Sequence, residues 1–209
     1  MYMKVKRLVD VVLSSFGILI LLPLFFIIII AIKIDSKGPI FFKQKRLGIN
    51  KTYFEILKFR TMRMDAPKDT PTHLLNNSKQ YITNVGKILR KTSLDELPQI
   101  WNILIGQMSI IGPRPALWNQ YDLISERNKY GANDIPPGLT GWAQINGRDE
   151  LPIKEKAKLD GEYVERISFF MDIKCFIGTI VSVLKSEGVV EGGKGTTVEK
   201  KVVGSKERV

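Results

Sequence analysis

The sequence predicts an α+β chain, mostly helical and monotopic: a re-entrant N-terminal membrane helix, a few short strands, and interfacial amphipathic helices. Three observations predict it. Residues 11–32, VVLSSFGILILLPLFFIIIIAI, carry no charge, and as one helix they reach roughly 33 Å, against a hydrocarbon core of about 30 Å. Pro23 falls within them; it lacks an N–H, and its ring clashes with the carbonyl of Leu19. Cations flank both ends: Lys4, Lys6 and Arg7 before, then Lys33, Lys37, Lys43, Lys45 and Arg46 after. Such clusters mark the cytoplasmic side of a membrane segment. A kinked spanning helix is the plainer reading of an intramembrane proline, but two basic flanks favour a helix–break–helix that enters and leaves on one side.

The remaining elements follow in order. FFKQKRLG and TYFEILKFRTM read as short strands, the second placing Lys58 and Arg60 two apart and so on one face. Residues 64–84 are polar and proline-punctuated, a loop with one short helix at most. VGKILRKT is a basic amphipathic turn. DELPQIWNILIG is a helix ending near Gly106, MSIIG a strand, and GPRPALWNQYDLISERNK a turn and a helix. IPPGLTGWAQINGRD is a Gly/Pro-organised loop, and LPIKEKAKLDGEYVERI a helix. In the next segment Ile173, Phe176, Ile177, Ile180, Val181 and Leu184 share one helical face. Such stripes usually face a core, although Phe at the start and Lys174 and Lys185 at the border also suit an interfacial helix. The organisation is therefore an anchor at 1–36, a globular part at 37–187 on the membrane surface, and a flexible basic tail at 188–209.

Charge and composition narrow the chemistry. With 32 Lys and Arg against 21 Asp and Glu, the net charge is +11, so partners should be anionic. One cysteine and one histidine exclude a Cys/His zinc site and a disulfide framework. Any Ser- or Cys-based triad would depend on His73, and no Gly-rich Walker-type loop is present. Carboxylates and cations are left to do the work.

Four stretches hold candidates. In KTSLDELPQ, residues 91–99, Ser93-x-x-Glu96 has the pattern of a capping box. Asp95 and Glu96 then fall in a helical first turn, where acids commonly complement the dipole. The same place would lower the Asp95 pKa and leave N–H groups facing an anion, which suits a carboxylate nucleophile or a metal bridge to phosphate. In GPRP, residues 112–115, two prolines stiffen the backbone around Arg114, and a guanidinium on a stiff loop grips phosphate at little ordering cost. Lys58, Arg60 and Arg90 read singly as a solvated basic face; with Arg114 they offer enough charge for a diphosphate. PGLTGWAQINGRD, residues 137–149, is a tight structural loop, or one that contacts sugar or nucleotide through Gln144, Asn146 and Arg148.

These motifs occur in one order: a basic N-terminus, a Pro-broken apolar segment, KFRTM, KTSLDELPQ, MSIIGPRPAL, PGLTGWAQINGRD, and LDGEYV with Asp160 and Tyr163. In that order the chain resembles the bacterial sugar transferases of the monotopic phosphoglycosyltransferase superfamily, in their small single-domain form, from about residue 3 to residue 190. Leu22 departs from the small polar residue that relatives often place before the break proline. The resemblance implies transfer of sugar 1-phosphate from a UDP-sugar to undecaprenyl or another polyprenyl phosphate, with release of UMP. It implies Mg²⁺ as cofactor, held by Asp95 and Glu96, with Asp95 as nucleophile. It implies phosphate binding by Lys58, Arg60, Arg90 and Arg114, and weaker substrate contacts from Gln144, Arg148, Asp160 and Tyr163. An N-acetylated amino sugar is the expected donor, in the first membrane step of N-glycan, capsule or O-antigen synthesis. A hexose 1-phosphate is the alternative, and a membrane-anchored basic binding module the rival from another class. Expected partners are an anionic phospholipid bilayer at the cytoplasmic face and no nucleic acid; a homodimer is left open.

Overall fold

The computed structural model describes residues 2–67, 80–147 and 151–185. His73, Arg148, most of the 64–84 loop and the 188–209 tail lie outside the described residues.

Helix α1 runs from Tyr2 to Asp35 as one α-helix with Pro23 inside it. The expected break therefore does not interrupt the helix. Proline removes one hydrogen bond and crowds one carbonyl, but in an apolar medium the remaining amides find no partner better than the helix itself. Amphipathicity is inverted in the first half of α1. Lys6, Asp10 and Ser14, each four residues apart, point inward, while Leu8, Val12, Phe16, Leu19 and Ile20 are exposed. The second half buries Ile28 and Ile32 against Phe59 and Leu89.

Both ends of α1 are fastened to one body. At the start, Lys6 pairs with Asp172 at 2.5 Å, Arg7 donates to the carbonyls of Ile103 (2.6 Å) and Leu104 (2.7 Å), and Asp10 accepts the Ile110 N–H at 3.0 Å. At the exit, Asp35 accepts the Val85 N–H at 3.0 Å. There Arg60 donates to the carbonyls of Lys37 (2.6 Å) and Ser36 (2.7 Å). A helix whose two polar ends meet the same folded body does not place them on opposite sides of a bilayer. The protein is monotopic.

The body contains two small sheets. β1 (Phe41–Leu47) and β2 (Tyr53–Phe59) pair antiparallel, with Phe42 opposite Lys58. Helix α2 (Asn84–Lys91) is capped by Thr83, whose side chain accepts the Gly86 N–H, as the Ncap preference requires. Helix α3 (Gln99–Leu104) stops where expected: Gly106 follows with φ +89°, a left-handed position suited to glycine. β3 (Ser109–Ile111) pairs in parallel with β4 (Gly138–Thr140), in register Ser109 to Gly138 and Ile111 to Thr140. Among the described residues, helices α4 (Tyr121–Asn128), α5 (Trp142–Ile145), α6 (Ile153–Glu165) and α7 (Phe169–Lys185) follow.

Two details matter for the site. The glycines of the 137–149 loop permit backbone-on-backbone packing: a Cβ at Gly138 would lie 2.1 Å from the Gly112 nitrogen, and one at Gly141 2.1 Å from the Gly112 carbonyl oxygen. Along α7, Met171 and Cys175 are buried, whereas Ile173, Phe176, Ile177, Ile180 and Val181 are exposed. The stripe that periodicity alone assigns to a core is thus a surface, and together with the outer face of α1 it supplies apolar area for a bilayer to cover.

Candidate active site

The four residues KFRT at the end of β2 divide their work. Lys58 Nζ reaches Glu96 Oε1 at 2.6 Å. Phe59 packs under α1 with Ile28 and Ile32. Arg60 turns the other way, and its buried guanidinium closes the exit of α1. Thr61 Oγ1 accepts from Arg90 Nε at 2.8 Å, tying the end of α2 to the strand. Arg60, expected at phosphate, is placed by the structure against carbonyls of the anchor.

Asp95 and Glu96 sit in a 3-10 turn, Leu94–Glu96, between α2 and α3. The expected capping box does not form. Ser93 adopts left-handed geometry (φ 57°, ψ 15°) and its side chain caps nothing. A left-handed non-glycine residue costs backbone energy and is held there only by its surroundings. Its effect is to turn Glu96 away from the backbone and toward the cations: Arg114 Nη2 and Nη1 donate to Glu96 at 2.5 and 3.3 Å. One carboxylate thus holds Lys58 and Arg114 together.

The two acids are driven apart in pKa. Burial pushes Asp95 up, and Glu96 adds to the rise, against the opposing pull of Lys58, Arg90 and Arg114. Burial would raise Glu96 as well, but Arg114 and Lys58 at contact hold it well below the usual carboxylate range. The expected lowering of the Asp95 pKa by a helix start is overturned, since no helix begins there and desolvation dominates. Neither oxygen of Asp95 makes a hydrogen bond or ion pair among the described residues. The pair thus comprises a desolvated carboxylate of raised basicity and an ionised partner that organises cations.

Glu96 and Arg114 border a cavity of about 450 Å³. Its walls are apolar: Leu13 from α1, Ile100 and Ile103 from α3, Phe176 and Ile180 from α7. Gln144 lines it too, with Oε1 buried and unpartnered among the described residues. A cationic, acid-bearing end joined to an apolar chamber against the membrane helix fits a phosphorylated amphiphile.

Two expected contacts are displaced from this cavity. Asp160 is buried in an ion pair with Arg127, and the Tyr163 hydroxyl donates to Asp172 Oδ1 at 2.6 Å, beneath β3. Both are interior groups that do not line the cavity. Sequence reasoning missed Arg127, Asp172 and Lys6. Lys6 looked like topological charge, and Arg127 has its counter-ion thirty-three residues later, a separation that no local pattern reveals.

Comparison with known proteins agrees with this geometry. A family model described as bacterial sugar transferase matches residues 1–186. The chain is 40% identical to the uncharacterized sugar transferase EpsL of Bacillus subtilis (strain 168), over 90% of this chain and 91% of that one. It is 36% identical to the exopolysaccharide production protein ExoY of Rhizobium meliloti (strain 1021), over 88% and 87% of the two chains. It is 39% identical to the UDP-glucose:undecaprenyl-phosphate glucose-1-phosphate transferase of Xanthomonas campestris pv. campestris, over 88% of this chain but only 39% of that longer protein. Membership sets aside the binding-module reading, and the chain belongs to the bacterial sugar transferase family as an enzyme of the transferase class.

Proposed function

We propose that this enzyme transfers a hexose 1-phosphate, with glucose 1-phosphate the leading candidate, from its UDP-sugar to undecaprenyl phosphate or a similar polyprenyl phosphate. UMP is released, and the product primes polysaccharide synthesis. The observation that supports the reading most is Glu96, which lines with Arg114 an apolar cavity walled by the membrane helix, pairs with Lys58 and Arg114, and stands next to Asp95 in the same turn. An amino sugar was the expectation from resemblance. The relatives whose names state a donor act on UDP-glucose, and that shifts the proposal to a hexose.

In the proposed reaction the Asp95 carboxylate attacks the phosphorus bonded to the sugar oxygen. The P–O bond to the bridging oxygen breaks, UMP leaves with that electron pair, and a phosphosugar–aspartyl acyl phosphate remains. A phosphate oxygen of the polyprenyl acceptor then attacks the same phosphorus, and the Asp95 carboxylate departs. Lys58, Arg90 and Arg114 stabilise charge on the transferring phosphoryl group. For Mg²⁺ the residues present fit: Mg²⁺ favours one or two carboxylates plus substrate phosphates over an all-protein cage. Asp95 and Glu96 would hold it, and when bound it would neutralise charge on the diphosphate. Cations at both ends of α1 favour the cytoplasmic face.

Two expected results test this reading. Purified enzyme with a polyprenyl phosphate should release UMP from UDP-glucose at least about tenfold faster than from UDP-N-acetylglucosamine, a margin of about 1.4 kcal/mol. A reversed preference would restore the amino sugar. The kcat/KM profile should carry an acid limb above the ordinary aspartate pKa, because burial raises Asp95. Lys58→Gln removes a cation that lowers that pKa, so the limb should move to higher pH. A limb that moves down would assign it to another group.

A further inference from the structure

Arg114 is useful only if its guanidinium meets phosphate at a fixed place, so the backbone beneath it is informative. Five consecutive carbonyls, from Gly112 to Ala116, accept hydrogen bonds from outside the loop. Gly112 accepts from Gln144 Nε2 at 3.5 Å, Pro113 from the Gly138 N–H at 2.9 Å, and Arg114 from Arg127 Nη1 at 2.8 Å. Pro115 accepts from Arg46 Nη1 at 3.0 Å, and Ala116 from the Leu47 N–H at 2.9 Å. The donors come from α5, β4, α4 and β1. Two prolines fix φ within the loop, and four elements fix its place.

One of these donors differs from the rest. Arg127 is 2% exposed and Asp160 1% exposed. Arg127 Nε and Nη2 both reach Asp160 Oδ2, at 2.7 and 2.6 Å, so the remaining nitrogen, Nη1, is aimed at the Arg114 carbonyl. A guanidinium is planar and forked, so anchoring one edge dictates where the other points. Asp160 also belongs to LDGEYV on α6, which packs against α4. Gly161, next to it, lies against Tyr130, where a Cβ would come within 2.7 Å. The pair is therefore fixed in depth as well as direction.

We propose that Arg127, oriented by Asp160, is a positioning residue for Arg114: it sets the backbone at position 114 and, through it, the guanidinium that holds Glu96 and meets phosphate. The catalytic part of this statement rests on the reading given under Proposed function. It gives LDGEYV a task without substrate contact, and it accounts for an ion pair whose burial stabilises weakly by itself, since desolvation offsets most of its attraction.

The test uses the full chain in detergent or nanodiscs. Arg127→Lys keeps a charge beside Asp160 but cannot serve the carboxylate and the carbonyl together. It should fold and lower kcat/KM by about 10²-fold, the scale expected when a reacting group shifts by about an ångström. Arg114→Gln and the Arg114→Gln/Arg127→Lys double variant complete a cycle. If Arg127 acts through Arg114, the double variant loses no more than Arg114→Gln alone. Losses that multiply, or follow only the folded fraction, overturn the proposal in favour of a merely structural pair. Should Arg127→Lys fail to fold, the neutral pair Arg127→Gln/Asp160→Asn takes its place in the same cycle. An activity-free arm separates this inference from the reaction itself. The Arg114 guanidinium ¹⁵N signal should be that of an ordered group in the wild type and of a mobile one in Arg127→Lys. Retention of the ordered signal in Arg127→Lys overturns the proposal. Its loss supports the proposal even if no UDP-sugar is turned over by the wild type, an outcome that would defeat only the assigned reaction.

Discussion

Asp95→Asn is expected to end turnover, with kcat falling roughly 10⁴-fold or more, the scale on which loss of a covalent nucleophile is felt. The substitution changes little else. The amide has nearly the same shape, and Asp95 makes no hydrogen bond among the described residues that the exchange would break. It removes a charge that burial disfavours, so stability should move in the opposite direction from activity. The sign follows from the raised pKa. The folded state binds the proton more tightly than the unfolded one, and stability is lost as pH rises through the folded value. Near neutral pH the Asn variant should therefore melt no lower than the wild type, and higher if Asp95 is ionised there. Labelled UDP-sugar without acceptor should leave sugar phosphate on the wild type and none on the variant. A variant that transfers sugar phosphate at the normal rate would remove Asp95 from the mechanism.

Glu96→Gln is expected to be nearly as damaging for a different reason, with kcat/KM down roughly 10²–10³-fold, the usual effect of removing one preorganised electrostatic partner. Glu96 touches no reacting atom in the proposed steps; it holds Lys58 and Arg114 at 2.6 and 2.5 Å. The amide oxygen can still accept from both, but the neutral group cannot balance two cations, and its NH2 replaces the oxygen that accepts from Arg114 Nη1, so both cations are held less firmly. Stability should drop by about 1–3 kcal/mol, because the group removed is largely buried and its partners are left short of an acceptor. Glu96→Asp should not rescue activity, since the side chain is one methylene shorter and must still reach both cations. If Glu96→Gln lowered only the melting temperature and left kcat/KM near the wild-type value, the acid would be a structural tie and nothing more.

Local chemistry made much of the fold legible. The strand pair, the stop of α3 at Gly106 and the apolar face of α7 could each be read from neighbouring residues, because turn chemistry and periodicity act within a few positions. Two local readings failed where distant groups outweighed near ones. Ser93-x-x-Glu96 has every letter of a capping box, yet two cations, one 38 and one 18 positions away, draw Glu96 out of it. Arg60 shares a strand face with Lys58 on paper, but the end of the strand turns it toward the carbonyls at the exit of α1. Asp160 illustrates the same limit. Its motif was visible in the sequence, and its partner was not.

By itself the sequence determined that an uncharged N-terminal stretch suits a membrane, that a net charge of +11 calls for anionic partners, and that carboxylates and cations are the groups left for catalysis once Cys/His chemistry is set aside. Those conclusions rest on composition and hydropathy, which need no knowledge of contacts. Only the tertiary structure decided which acid is desolvated and which is ionised, which cations stand beside them, and which guanidiniums are spent on backbone. A pKa and an ion pair depend on distance through space and on exclusion of water, and neither is a property of order along the chain.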